Sequence, residues 1–151
     1  MKKIFSVALL FLLAASIYYG CSAKCGCTTY CSMFCEQQFK FVMKDTLDQI
    51  LVEGIMFFET ADDNTFQGKY NFTKVYNNEF AGFSTMKGVF NGQYSTTAKS
   101  GTINTNPKIA DYNILIDFKI LTKQLKGNFY LSTLKGKING GTFFAELIET
   151  K

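Results

Sequence analysis

From Ile55 onward apolar and polar residues alternate with a period of two, and no other feature limits the possible folds so tightly. Phe66, Gly68, Tyr70 and Phe72 fall on one face of a run whose other face carries Gln67, Lys69, Asn71 and Thr73. Met86, Gly88, Phe90, Gly92 and Tyr94 alternate in the same way with Lys87, Val89, Asn91 and Gln93. Tyr112, Ile114, Ile116, Phe118 and Ile120 alternate with Asn113, Leu115, Asp117, Lys119 and Leu121, and Leu125, Gly127, Phe129 and Leu131 with Lys126, Asn128, Tyr130 and Ser132. Successive strand side chains point to opposite faces, so this pattern predicts antiparallel sheet with one face buried. Turn signals at Asp62-Asp63-Asn64, Asn77-Asn78, Asn106-Pro107 and Asn139-Gly140-Gly141 separate the runs. About eight short strands in this space predict a mainly-β fold, a small antiparallel up-and-down β-barrel over residues 53–151.

A weak repeat supports closure. A Lys or Gln, a Gly, any residue and a bulky apolar residue recur as Gln67-Gly68-Lys69-Tyr70, Lys87-Gly88-Val89-Phe90, Lys126-Gly127-Asn128-Phe129 and Lys135-Gly136-Lys137-Ile138. Glycine weakens a strand unless the backbone must bend or be closely approached. Small barrels need such bends, and an aromatic nearby can cover the bare glycine. No helix start follows any of these glycines, so they are not phosphate loops.

The N-terminus reads as an export signal. Lys2 and Lys3 precede an uncharged, mostly apolar run from Ile4 to Ile17, too short to span a bilayer. Cleavage is expected after Ala23, giving a signal peptide over 1–23, with a cut after Ser16 as an alternative. Lipoprotein processing would end the leader at residue 20 and lipidate Cys21. Removing the leader strips Lys2 and Lys3, so the net charge of +4 falls to 14 − 12 = +2. A balance so near neutral predicts no nucleic-acid partner.

All five cysteines lie between residues 21 and 35. Either loss or lipidation of Cys21 leaves Cys25, Cys27, Cys31 and Cys35, which predict two disulfides with three possible connectivities. Their spacing does not match a two-knuckle zinc site, so no metal is expected. Further on, Phe39, Met43, Leu47, Ile50 and Leu51 recur at helical spacing and predict one short helix. Residues 24–52 thus read as a Cys-rich segment with a helix ahead of the barrel.

Of chemistry the chain offers little. It has no His and no Trp, and all 16 basic residues are Lys. This excludes Ser-His-Asp and Cys-His catalysis, His-ligated metals and bidentate Arg recognition of phosphate. Asp62 and Asp63 are adjacent and so diverge across a strand or sit in a turn, while Asp117, Glu146 and Glu149 read as surface charges. No enzyme and no cofactor are expected. Asn71-Phe72-Thr73 is an acceptor pattern for glycosylation at Asn71.

Three segments resemble the lipidated surface barrels of Gram-negative bacteria, the transferrin-binding protein B and factor H-binding protein group. Lys87-Gly88-Val89-Phe90-Asn91-Gly92-Gln93-Tyr94 looks like that family's glycine-aromatic strand. Tyr112-Asn113-Ile114-Leu115-Ile116-Asp117-Phe118 with Leu125-Lys126-Gly127 resembles its alternating strand and the Gly strand after it. Lys137-Ile138-Asn139-Gly140-Gly141-Thr142-Phe143-Phe144 resembles its closing hairpin. The resemblance implies an eight-stranded barrel on an outer-membrane lipid anchor that binds a host protein or haem without catalysis. The chain has length for one barrel only, and the Cys cluster is not part of that pattern.

The functional expectation is an exported binding barrel, secreted or held at the cell surface. It would recognise a macromolecule through loops or an exterior patch such as Lys87, Val89, Asn91, Leu115 and Tyr130. The alternative is a lipocalin-like carrier of a small apolar ligand, with Phe66, Tyr70, Phe72, Phe90, Tyr94, Phe118 and Phe129 lining the cavity. Against the carrier stands the close packing of ordinary interiors, in which those rings are simply core.

Overall fold

Eight strands close into a single antiparallel barrel in the computed structural model, which describes residues 33–61, 64–77, 86–108 and 113–149. In chain order they are β1 (Gln37–Lys44), β2 (Ile50–Ala61), β3 (Thr65–Val75), β4 (Lys87–Ser95), β5 (Ser100–Thr105), β6 (Ile114–Leu121), β7 (Gln124–Thr133) and β8 (Gly136–Leu147). Each pairs with its sequence neighbour, and β8 returns to β1 through Phe41↔Ala145 and Met43↔Phe143. The expected up-and-down barrel is what the chain forms.

Alternation sets the two faces. Phe66, Gly68, Tyr70 and Phe72 are buried on β3, whereas Gln67, Lys69, Asn71 and Thr73 are exposed. The same holds for Phe90 and Tyr94 on β4, for Ile114, Ile116 and Phe118 on β6, and for Leu125 and Phe129 on β7. Met86 departs from the pattern: it lies one residue ahead of β4 and is exposed.

The glycine repeat is explained by register. Gly68 stands opposite Phe90, Gly92 opposite Phe66, and Gly101 opposite Phe118. A Cβ on Gly92 would lie 2.3 Å from the Phe66 ring and 2.2 Å from the Thr102 carbonyl oxygen. The ring of one strand therefore occupies the space left by the bare backbone of the next. The covering aromatic comes from across the ladder.

Four sequence expectations need correction. Residues 37–44 form β1, not a helix, and among the described residues no α-helix occurs. Phe39 and Met43 are four apart, a spacing that satisfies both periods; Phe41, buried between them, is the residue that selects the strand. Leu47, assigned to the helix face, is 77% exposed in the β1–β2 turn, where the Asp45 carboxylate accepts from the Leu47 and Gln49 amides. The barrel accordingly begins at Gln37, and the stretch 37–52 supplies β1 and the start of β2.

Asn139-Gly140-Gly141 is likewise not a turn but a bulge inside β8. The pairing steps from Phe129↔Gly141 to Tyr130↔Asn139, leaving Gly140 as the extra residue. Gly141 takes φ +131°, and a Cβ there would lie 2.0 Å from the Lys44 carbonyl oxygen, so only glycine fits. The chain reverses instead at Leu134-Lys135, so residues 137–144, taken for a closing hairpin, are one strand.

Candidate functional site

Thirteen ring pairs occur among the described aromatic residues, and they occupy the barrel interior. Phe66 is within 6.2 Å, centroid to centroid, of Phe34, Phe58, Phe90, Tyr94 and Phe118. Tyr70 and Phe72 pack on each other at 5.3 Å, and the Phe129 ring lies against Gly140. All seven residues considered as a cavity lining are thus buried and packed as core. An eight-stranded barrel is just wide enough to be filled by side chains. Each ring pair adds about 0.5–1.5 kcal/mol beyond the area it buries.

Phe34 lies outside the alternating pattern. It precedes β1 yet is 1% exposed, with its ring 5.1 Å from those of Phe58, Phe66 and Tyr94. Glu36, at φ 54°, reverses the backbone between it and β1. Met33 and Cys35 pack against the same core. The segment carries no period-two pattern, so sequence gave no signal that it enters the barrel.

Two polar contacts close the interior where the rings end. The Thr105 hydroxyl accepts from the Ile114 amide and donates to the Ile114 carbonyl, both at 3.1 Å. The Asn106 amide donates to the Tyr70 hydroxyl at 2.9 Å.

With the inside occupied by rings, the hollows of the described structure lie on the outer face. A groove of about 470 Å³ crosses β3, β4, β5 and β6. Two cross-strand rows build it. One runs Gln67, Asn91, Asn104, Leu115, and register carries it on to Tyr130. The other runs Thr65, Gln93, Thr102, Asp117. Lys137 closes one end, its ammonium 5.8 Å from the Tyr130 ring centroid. Asn104 is half-buried while Asn91 and Gln67 are exposed, so it sits deepest of the three. Its side-chain Oδ1 is buried and accepts no hydrogen bond among the described residues. A buried acceptor left unpaired costs about 1–3 kcal/mol.

A second exterior hollow of about 750 Å³ lies over β1–β4, lined by Gln38, Ile55, Phe57, Lys69, Asn71, Lys87 and Val89. Lys69 is paired there with Glu59. The expected patch is therefore divided: Asn91, Leu115 and Tyr130 share one row, while Lys87 and Val89 belong to the second hollow. Asn71 is exposed on the same side. Asp117 and Glu146 are exposed on their strands, and Glu149, just beyond β8, pairs with Lys123.

Cys21, Cys25, Cys27, Cys31, Asp62 and Asp63 lie outside the described residues, as do residues 1–23 and with them the expected leader. Among the described residues no group of three or more Cys, Asp or Glu is placed to hold a metal.

The sequence matches no family model and no curated protein. Among solved structures, a redesigned β-barrel aligns over 80% of this chain and 94% of its own, at 16% identity and a TM-score of 0.45.

Proposed function

We propose that the chain is an exported, non-enzymatic binding barrel that recognises a macromolecule through its outer face. One observation carries the reading. The aromatic interior is packed ring on ring around Phe34 and Phe66, which leaves the grooved exterior for recognition. The short apolar run after Lys2 and Lys3 supports export. Pairing of Cys35 with Cys25, Cys27 or Cys31 would belong with such an oxidising compartment. Attachment to the cell surface through a lipid on Cys21 and kinship with the transferrin-binding protein B group remain part of this proposal.

Two measurements on the exported chain test it. A photo-crosslinker at Asn91 is expected to yield a discrete high-mass adduct with a macromolecule. Native mass spectrometry is expected to show no co-purifying small apolar molecule, and the same spectrum reads cleavage after Ala23 or acylation of Cys21. A stoichiometric apolar ligand with no adduct would overturn the proposal in favour of the carrier.

A further inference from the structure

We infer that the groove across β3–β6 binds a neutral oligosaccharide chain lying across the strands. The inference rests on the outer-face reading above and names the ligand class of that face.

The lining chemistry selects the class. Gln67, Asn91, Gln93 and Asn104 bring four amides to one concave surface, with the Thr102 hydroxyl between them. Each amide carries two donors and an acceptor, and a hydroxyl does both. Sugar hydroxyls have the same dual character, so such a surface pairs with them whichever way they turn. Asp117 and Lys137 are the charged members and cancel. Phosphate-rich ligands need several cations together, which this groove lacks.

Geometry narrows it further. Neighbouring strands lie about 4.8 Å apart, so the part of the row that lines the groove, Gln67 to Leu115, runs about 14 Å along the barrel wall, with Tyr130 one strand beyond it. That is a track for a chain of linked rings, longer than one small molecule can use. Leu115 and Tyr130 end the row with apolar surface, where the C–H face of a sugar ring can lie while its hydroxyls meet the amides. An extended peptide would instead add to a free strand edge, and the closed barrel has none. The unpaired Asn104 acceptor at the groove floor gives the ligand a specific task. A donated sugar hydroxyl would satisfy it, and its lack of a partner among the described residues is then a feature of the site.

The test presents the full chain to immobilised cello-, malto-, chito- and mannotetraose and follows retained sugars by amide NMR. At least one is expected to bind, with shifts centred on Gln67, Asn91, Asn104 and Tyr130. Asn104→Leu is expected to weaken binding about tenfold with the melting temperature unchanged or raised. Tyr130→Ala should also weaken it, while Lys40→Ala on the opposite side should not. Failure of all four sugars to bind, shifts centred on β1 and β2, or undiminished binding by Asn104→Leu would each overturn the inference. A macromolecule crosslinked at Asn91 that still binds after enzymatic removal of its sugars would overturn the inference and leave the general outer-face reading standing.

Discussion

Strands β3, β4 and β5 present two surfaces built from alternate residues of the same stretches, and the two obey different rules. Inward, Phe66, Gly68, Phe90, Gly92 and Gly101 interlock, each glycine under a ring from the next strand. Outward, Gln67, Asn91, Gln93 and Asn104 stand in open rows. At these positions volume is conserved across the ladder: the ring of one strand fills the space of the side chain missing on its neighbour. Outside, nothing constrains volume, so the residues there are free to be selected for what they touch. The contrast teaches that stability and recognition are separable in this barrel residue by residue, although neighbours in sequence belong to different systems.

The largest effect should follow from removing a central ring. Phe66→Ala would leave a hole bordered by Phe34, Phe58, Phe90, Tyr94 and Phe118. A cost of about 3–5 kcal/mol is expected in urea unfolding. Phe34→Ala should cost a similar amount, because its ring fills the same cluster from outside the alternating pattern. A loss below about 1 kcal/mol at either position would mean that the interior relaxes freely, and the contrast between the faces would collapse.

Next in size is the reverse change, adding volume. Gly92→Ala places a methyl against the Phe66 ring and the Thr102 carbonyl, and about 1–3 kcal/mol of destabilisation is expected. The ring can yield but the backbone carbonyl cannot, so Phe66→Leu combined with Gly92→Ala should recover part of the loss and not all of it. A double-mutant cycle measures that coupling directly. Strict additivity would show that the register pairing of Gly92 with Phe66 does not matter energetically.

How much of this was readable beforehand follows the same division. The alternation in residues 66–73 placed each side chain on its correct face, because period two needs no knowledge of partners. Residues 37–44 were misread because Phe39 and Met43 fit either period, and the helical set was extended to Leu47, which is exposed. The bulge at Gly140 carries the same Asn-Gly-Gly signature as a turn, and only the ladder tells them apart. The glycine repeat marks places of bending or close approach, yet Gly92 under Phe66 is a cross-strand fact that no local window contains. The groove was the least legible. Asn91 was noticed as outward-facing, but Asn104 becomes its neighbour only through register, and Gln67 only on the other side.

Smaller still should be the stability effects on the groove. Gln67→Ala and Asn91→Ala are expected to shift unfolding free energy by no more than about 0.5 kcal/mol, since both side chains are exposed. Chemical denaturation checks this, and a larger loss would make the outer rows structural rather than available for binding.

The smallest effect concerns the ion pair of Lys123 with Glu149, which ties the segment after β8 to the β6–β7 turn. The hydrogen bond and charge of Lys123 hold the Glu149 carboxyl below its ordinary range, and Glu149 holds the Lys123 ammonium above its own. The carboxylate contribution is present above the unfolded-state pKa and fades as pH falls through the lowered folded value. The ammonium contribution is present below the unfolded lysine pKa and fades as pH rises through the raised one. Both side chains are more than half exposed, so solvent and salt screen the pair. Glu149→Gln should therefore lower the melting temperature slightly at neutral pH, with the difference closing in acid and in 1 M salt. A deficit that persisted in high salt would mean that this exterior contact helps specify the fold. The outer surface would then share the structural role that Phe66 and Gly92 hold inside.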